Sequence, residues 1–434
     1  MSTNTRLRIS LFGNFGSGNI GNECTLHAMI CNARRYQPDV VLQCISKGPE
    51  HTVATCQIPA VPMREMLVDM QPRPGRRVLR LLRRIVIGLP TEIYRWVRTA
   101  KTLRQTDMLV MTGTGMLGDF GILPFDIHLD ILRWSIVARL CRCRLLFVSV
   151  GAGPLDHPLS RRFVRWALAL ADYRSYRDNL SKQYLEGVGI ETSGDAVYPD
   201  LAFSLPRELL PPSTHREGAR RVVGVGLMAF YGGHHTTEPS EAIHHDYIVK
   251  MATFVTWLLE HQYTVRLLIG DTRYDGRVRR ELMDVLEQRH TQYRHGQLLA
   301  EPIASPEDVF SQLASVDVVV ASRFHNVLMA LMLGKPVVAI SYHEKIDALM
   351  DDVGLPAYCQ RIDRLDVSAL IDQFTTLEAN VEDATPRIAQ KIEAYRTRLD
   401  DQYERIFTLL APDTEQVHVR AFARAADPMR GETR

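Results

Sequence analysis

Ser322, Arg323, His325, Tyr342 and Lys345 fall in one short segment, Asp317 to Lys345, which reads DVVVASRFHNVLMALMLGKPVVAISYHEK. A guanidinium can hold an oxyanion in a fork, an ammonium adds a point charge, and an imidazole titrates near neutral pH. Together these groups suit binding of an anion and movement of a proton. Their spacing supports this. The run Val316 to Ala321, interrupted only by Asp317, predicts a buried strand. Ser322-Arg323-Phe324-His325 follows at once, then a helix over Asn326 to Leu333 that ends at Gly334. Pro336 to Ile340 predicts a second buried strand, with Ser341 to Lys345 beyond its carboxyl end. Ligands of open parallel sheets bind just past the carboxyl ends of strands, and helix amino termini favour anions. An arginine at such a terminus opposes the helix dipole by roughly a few tenths of a kcal/mol or more, a cost that a bound anion would offset. The segment therefore points to chemistry on a phosphorylated or carboxylated molecule.

The elements that must hold this segment alternate. In the first half, strands are predicted at Leu7 to Phe12, Val40 to Ile45, Asp107 to Met111 and Leu145 to Val150, with helices at Ile20 to Arg35 and Arg162 to Ala171. In the second half, strands at Val222 to Leu227 and Val265 to Ile269 alternate with helices at Ile248 to His261, Arg277 to Gln288 and Pro306 to Ser315. Strand, glycine loop, helix is the pattern of a parallel α/β sheet. Between the halves, Pro206 to Arg221 (PRELLPPSTHREGARR) carries the proline, glycine and charge of a linker. The expected fold is α/β, with two doubly wound Rossmann-like domains, 1–210 and 222–385, facing a cleft. A helix over 386–411 is expected to pack back on the first domain, and a polar tail over 412–434 to be disordered.

Bulk properties bound the function. The 434 residues exceed one ordinary core. A net charge of +2 gives no global basicity for nucleic acid, and seven scattered cysteines fit a reducing cytosol. The opening MSTNTRLRIS lacks an apolar signal core, and no run reaches the ~20 apolar residues that span a bilayer. Arg73 to Arg104 stands apart, with ten basic residues, one acid (Glu92) and interleaved Leu79, Leu82, Val86, Ile93, Trp96 and Val97. It reads either as a basic amphipathic element for a membrane surface or as an ordinary surface helix pair broken at Pro90.

Other loops carry chemistry of their own. Gly16, Gly18 and Gly21 satisfy G-x-G-x-x-G between a strand and a helix. The second strand ends Ile45-Ser46-Lys47-Gly48 without the carboxylate a dinucleotide site needs, and the loop has no Walker lysine. Asn14, Gly16, Gly18, Asn19 and Glu23 are then candidates for a loop lining a sugar or phosphate, with Glu23 either a general base or a cap. The glycine loops Thr112 to Gly115, which contains Gly113, and Gly151 to Pro154 are further ligand-approach candidates or plain turns. His234, His235, His244 and His245 lack a completing Cys or carboxylate, so an exposed histidine-bearing lid is expected in place of a metal site.

These motifs resemble the polysaccharide pyruvyl transferase family. The likeness runs through the Gly13 to Glu23 and Thr112 to Gly118 loops, Tyr176-Arg177-Asp178 with Ser181, and Tyr198-Pro199-Asp200-Leu201-Ala202-Phe203. It continues through Ser322-Arg323-Phe324-His325, Gly334-Lys335-Pro336-Val337 and Ser341-Tyr342 with Lys345. Phe324 stands where the family often has leucine, and Asn22 where it often has aspartate. The resemblance implies a fold similar to B-type glycosyltransferases. It implies phosphoenolpyruvate as donor, a lipid-linked or polymeric saccharide as acceptor, and work at the inner face of a cytoplasmic membrane.

On that reading His325 moves the proton, and Arg323, Ser322, Tyr342 and Lys345 bind the donor, with no metal or other cofactor required. The expected location is cytoplasmic, peripheral to the membrane. A nucleotide-sugar glycosyltransferase is the first alternative, with Glu344 as its one candidate ribose-binding carboxylate. A non-catalytic scaffold of an envelope-assembly complex is the second.

Overall fold

A computed structural model describes residues 6–65, 88–119, 122–212, 221–232 and 240–409. The chain forms two compact units. Unit 1 comprises Met1–Gly16, Met29–Tyr198 and Asp400–Arg434, and unit 2 comprises Ser17–Ala28 and Pro199–Leu399.

Unit 1 is built on seven strands: β1 (Arg8–Phe12), β2 (Val41–Ser46), β3 (Ala60–Pro62), β4 (Met108–Thr112), β5 (Arg144–Val150), β6 (Tyr173–Tyr176) and β7 (Ala196–Val197). They form one sheet in the order β3-β2-β1-β4-β5-β6-β7, and every pairing is parallel. The reversal of order between β1 and β4 is the topological switch of a doubly wound sheet. Its central strands read as unbroken apolar runs because helices cover both faces. These helices are α1 (Ile20–Tyr36), α2 (Pro49–Cys56), α3 (Leu89–Leu103), α4 (Ile127–Leu140), α5 (Pro158–Ala169) and α6 (Asn179–Gly187). The residues just before Gly88, on which a helix pair broken at Pro90 depends, lie outside the described residues. Pro90 itself sits in the first turn of α3, where its missing N–H costs nothing.

Unit 2 repeats the plan with β8 (Val222–Leu227), β9 (Thr264–Ile269), β10 (Leu298–Leu299), β11 (Val318–Ala321), β12 (Val337–Ser341) and β13 (Cys359–Arg361). The order is β10-β9-β8-β11-β12-β13, again all parallel, with the switch between β8 and β11. Its helices are α7 (Glu241–Glu260), α8 (Asp275–Gln288), α9 (Pro306–Ala314), α10 (Phe324–Met332), α11 (Glu344–Asp352), α12 (Val367–Ala379) and α13 (Val381–Glu404).

The boundary between the units falls before the proline-rich stretch that the sequence suggested. Phe203 packs against Tyr395 with ring centres 4.9 Å apart and Arg396 donates to the Leu205 carbonyl at 2.9 Å, so Pro199–Leu399 packs within unit 2. Helix α13 starts at Val381, ahead of the expected residue 386, and carries Pro386 inside it. Its last turn, from Asp400 on, packs in unit 1, where Gln402 bonds Ser149 at 2.9 Å and Ser175 at 2.7 Å. The tail over 412–434, His234, His235 and residues 73–87 of the basic stretch lie outside the described residues.

The first half of α1 belongs to unit 2. There His27 Nδ1 lies 3.5 Å from Glu307 Oε1 at the start of α9. Hydrogen bonding from His27, against some burial, lowers the Glu307 carboxyl to about 2. A carboxyl depressed on folding adds stability above its unfolded pKa, here near the ordinary 4.5, and loses it as pH falls toward about 2. The Glu307 side chain is 66% exposed, so solvent screening limits the gain to about 1 kcal/mol or less. Urea unfolding of Glu307→Gln should therefore show a loss of up to about 1 kcal/mol near pH 5.5 that shrinks below about pH 4. A pH-independent loss would mean that packing, and not charge, holds this contact.

Candidate functional site

The candidate residues of unit 2 gather at its switch point. Strand β11 ends at Ala321, and the Ser322 amide donates to the Gly226 carbonyl of β8 at 3.0 Å. Ser322 is fully buried, and its hydroxyl lies 2.9 Å from the buried hydroxyl of Tyr247 on α7. Arg323 is the N-cap of α10 with extended backbone and no side-chain cap bond. The helix thus begins at Phe324, two residues earlier than the sequence suggested, and His325 sits in its first turn.

The anion that offsets Arg323 is part of the protein. Its Nε donates to Asp275 Oδ2 at 2.9 Å and its Nη2 to Asp275 Oδ1 at 2.5 Å, a bidentate fork. Asp275 is fully buried at the start of α8, and its carboxylate also accepts from the amides of Ala229 (3.0 Å), Gly270 (3.2 Å) and Asp271 (2.9 Å). Burial works against the guanidinium charge, but Asp275, helped by Tyr342 and Asp271, outweighs it and moves the Arg323 pKa upward. Next in chain, Asp271 accepts from the Arg273 and Tyr274 amides at 2.9 and 3.2 Å. Its own pKa is raised, chiefly by burial, with Arg323 pulling the other way.

The first turn of α1 completes this cluster. Asn19 pairs with Asp271 as an antiparallel bridge, the Ile20 amide donates to the Gly270 carbonyl at 3.3 Å, and the Thr272 amide donates to the Gly18 carbonyl at 3.1 Å. The Asn19 side chain accepts from the Gly21 amide at 3.1 Å and so caps the start of the helix. Glu23 is buried in the first turn. Gly21 faces His325 so closely that a Cβ there would lie 1.8 Å from the imidazole Cγ. Only glycine leaves room for the ring.

Beyond β12, the His343 ring accepts from the Lys345 amide at 3.2 Å and caps α11. The Lys345 ammonium lies 5.2 Å from the ring centres of both Phe324 and Tyr342. Two aromatic faces therefore hold one cation. Asn326, one residue past His325, is 1% exposed, and neither its Oδ1 nor its Nδ2 has a hydrogen-bond partner. It lies against Gly226 and Gly270 at the ends of β8 and β9.

Unit 1 holds the remaining candidates. Asn14 is half-buried beside Gly16, which has φ +67°. A Cβ on Gly16 would come 2.2 Å from the Gly48 carbonyl oxygen, and a Cβ on Gly48 would come equally close to the Gly16 oxygen, so two loops cross backbone to backbone. The loops after β4 and β5 meet through the Leu117–Ala152 bridge. Arg177 lies under them. It would be 3.4 Å from a Cβ on Gly115 and 2.5 Å from one on Gly151, and its Nε is 3.4 Å from Asp178. Ser181 fixes the second loop, accepting from the Ala152 amide at 2.9 Å.

Two expectations change. His244 is no part of an exposed lid. It is buried on α7, bonded to the Phe230 carbonyl at 3.2 Å and Glu281 at 2.7 Å and stacked on Tyr231. Arg95 and Arg98 of the basic stretch are engaged by Glu92 and Glu65. Among the described residues, no group of three or more His, Cys, Asp or Glu is placed to hold a metal ion, and no helix is long and apolar enough to cross a membrane. Asp271, Asp275 and Asn326 were not singled out from sequence. The signal available was that Gly270-Asp271 follows β9 as Ser322-Arg323 follows β11, at the same edge of one parallel sheet.

Residues 67–344, more than half the chain, match the polysaccharide pyruvyl transferase family. The chain is 19% identical over 419 residues to the amylovoran biosynthesis protein AmsJ of Erwinia amylovora, covering 90% of this chain and 96% of that protein. Among solved structures it is similar to the UDP complex of MnaA from S. aureus, with TM-score 0.55, 10% identity, and 93% and 97% of the two chains covered. It is also similar to the UDP-GlcNAc 2-epimerase of Neisseria meningitidis bound to UDP-GlcNAc, with TM-score 0.53, 11% identity, and 88% and 93% covered. At such identity these likenesses speak for the fold alone, two Rossmann-like units of the kind seen in B-type glycosyltransferases and epimerases.

Proposed function

Because the chain belongs to the polysaccharide pyruvyl transferase family, we propose that it moves pyruvate from phosphoenolpyruvate to a saccharide of an envelope or exopolysaccharide repeat unit, forming a cyclic ketal. The observation that carries this reading is the convergence of Arg323, His325, Lys345 and Tyr342 at the switch point of unit 2, with Gly21 reserved to admit the imidazole.

Phosphoenolpyruvate bears a carboxylate and a phosphate. Arg323, oriented by Asp275, and Lys345, held between two rings, supply cations for them, and the amino end of α10 adds its amides. His325 delivers a proton to the methylene carbon, which becomes the methyl group. A sugar hydroxyl bonds to the central carbon, and the C–O bond to phosphate breaks. A second hydroxyl of the same sugar closes the ketal. Of the two hydroxyl protons released, one replaces the proton given to carbon and the other leaves with phosphate. No step needs a metal, because side chains balance the charge. The acceptor is a lipid-linked or polymeric saccharide, and the work is cytoplasmic.

Thermal unfolding with phosphoenolpyruvate beside UDP-sugars tests the donor. Ligand at about 100 times its Kd should add about 2.7 kcal/mol of stability to the wild type. Arg323→Ala should lose this shift. That variant also strips Asp275 of its partner, so Lys345→Ala serves as the second test and should weaken the shift while leaving the unliganded Tm nearly unchanged. A shift with a UDP-sugar and none with phosphoenolpyruvate would retire the ketal mechanism and move the chain to the glycosyltransferases.

A further inference from the structure

Helix α3 wears its apolar side outward. Leu89 is 60% exposed, Ile93 58%, Trp96 36% and Val97 60%. Their spacing, i, i+4, i+7 and i+8, puts them on one face. The last turn of that same face carries exposed Lys101 and Arg104. The opposite face is the polar one. Arg95 donates to the Glu65 carbonyl at 2.9 Å and pairs with Glu92, and Arg98 pairs with the Glu65 carboxylate at 2.9 Å. A helix packed only for water would place these arginines outside and the isoleucine, tryptophan and valine inside. Here the apolar side chains face outward, while Arg95 is 15% exposed and Arg98, itself 41% exposed, is tied to Glu65 earlier in the chain.

The charge around the face selects its occupant. Glu92, the one acid between Arg73 and Arg104, is engaged with Arg95 and lies 3.7 Å from buried Arg133. The chain entering α3 carries Arg73, Arg76, Arg77, Arg80, Arg83 and Arg84. A surface that is apolar along two turns, cationic at one end and preceded by six arginines matches a bilayer interface bearing anionic headgroups. A second copy of the same chain would bring like charge against like.

We propose that the exposed face of α3 docks on an anionic lipid surface, with Ile93, Trp96 and Val97 entering the headgroup layer and Lys101 and Arg104 meeting lipid phosphates. This goes beyond the proposed chemistry and stands or falls apart from it.

Co-sedimentation of the full chain with vesicles is the test. Vesicles of phosphatidylcholine with roughly one third phosphatidylglycerol should bind the wild type, and pure phosphatidylcholine should bind it far less. The triple variant Ile93→Ser, Trp96→Ser, Val97→Ser should bind the anionic vesicles at least about tenfold more weakly. Lys101→Gln with Arg104→Gln should weaken binding and flatten its salt dependence. Anionic vesicles should also shift tryptophan emission to the blue, and Trp96→Phe should remove most of that shift. The idea is overturned by a wild type that leaves anionic vesicles unbound. A triple variant that binds as well as the wild type also overturns it, since attraction would then run through the upstream arginines alone. A dimer of the wild type that the triple variant dissolves, without vesicle binding, would assign the face to a second copy instead.

Discussion

His325→Ala should abolish measurable turnover while phosphoenolpyruvate still raises the melting temperature. General acid–base catalysis by a positioned side chain contributes about 10²–10⁴-fold, and in the proposed reaction no proton reaches the methylene carbon without a donor. Binding survives because Arg323 and Lys345 are untouched. Gly21→Ala is the companion variant. It keeps the imidazole but places a methyl group 1.8 Å from where Cγ now lies, so the ring or the helix turn must move. Misplacing a catalytic group by about 1 Å can cost about 10²-fold. Phosphate release from phosphoenolpyruvate in the presence of acceptor reads both. Near-normal turnover in His325→Ala would remove the residue from the mechanism. Normal turnover in Gly21→Ala would show that the observed ring position is not the working one.

Asp275→Ala should destabilise unit 2 by about 3–5 kcal/mol, the usual result of stripping one partner from a buried ion pair. Five hydrogen bonds converge on this carboxylate: two from the Arg323 fork and one each from the amides of Ala229, Gly270 and Asp271. Alanine leaves all of these donors in a dry interior. Asp275→Asn keeps the shape and one acceptor oxygen, and should lose less. Urea unfolding gives both numbers. A loss below about 1 kcal/mol for alanine would mean that water or another carboxylate can replace Asp275. The variant should also lose the donor-dependent stabilisation, because the fork of Arg323 is oriented by Asp275.

The strands of both sheets were legible because parallel strands covered on both faces read as continuous apolar runs. Val222–Leu227 is found where the pattern predicts it, and β4, β5, β9 and β12 shift by about one residue. The edge strands β3, β7, β10 and β13 have two or three residues, too few for any period to show. Within the site, the residue types of 322–345 were readable, but their partners were not. Asp275 is 48 positions from Arg323 in sequence. In Gly270-Asp271-Thr272-Arg273-Tyr274-Asp275 it looks like any polar turn. The same holds for α3. Its basic residues suggest an unpaired charged face until Glu65 engages Arg98, and a local pattern cannot report a partner that distant.

The crossing of the loops at Gly16 and Gly48 bears on how this sequence can vary. Neither position has room for a Cβ, and each is blocked by the other's backbone, which no rotamer change can relieve. The two sites therefore offer no compensatory route. A side chain at one is not rescued by any choice at the other, since glycine is already the smallest residue. Drift in the loop after β1 and drift in the loop after β2 are tied together, and both must pass through glycine at this crossing.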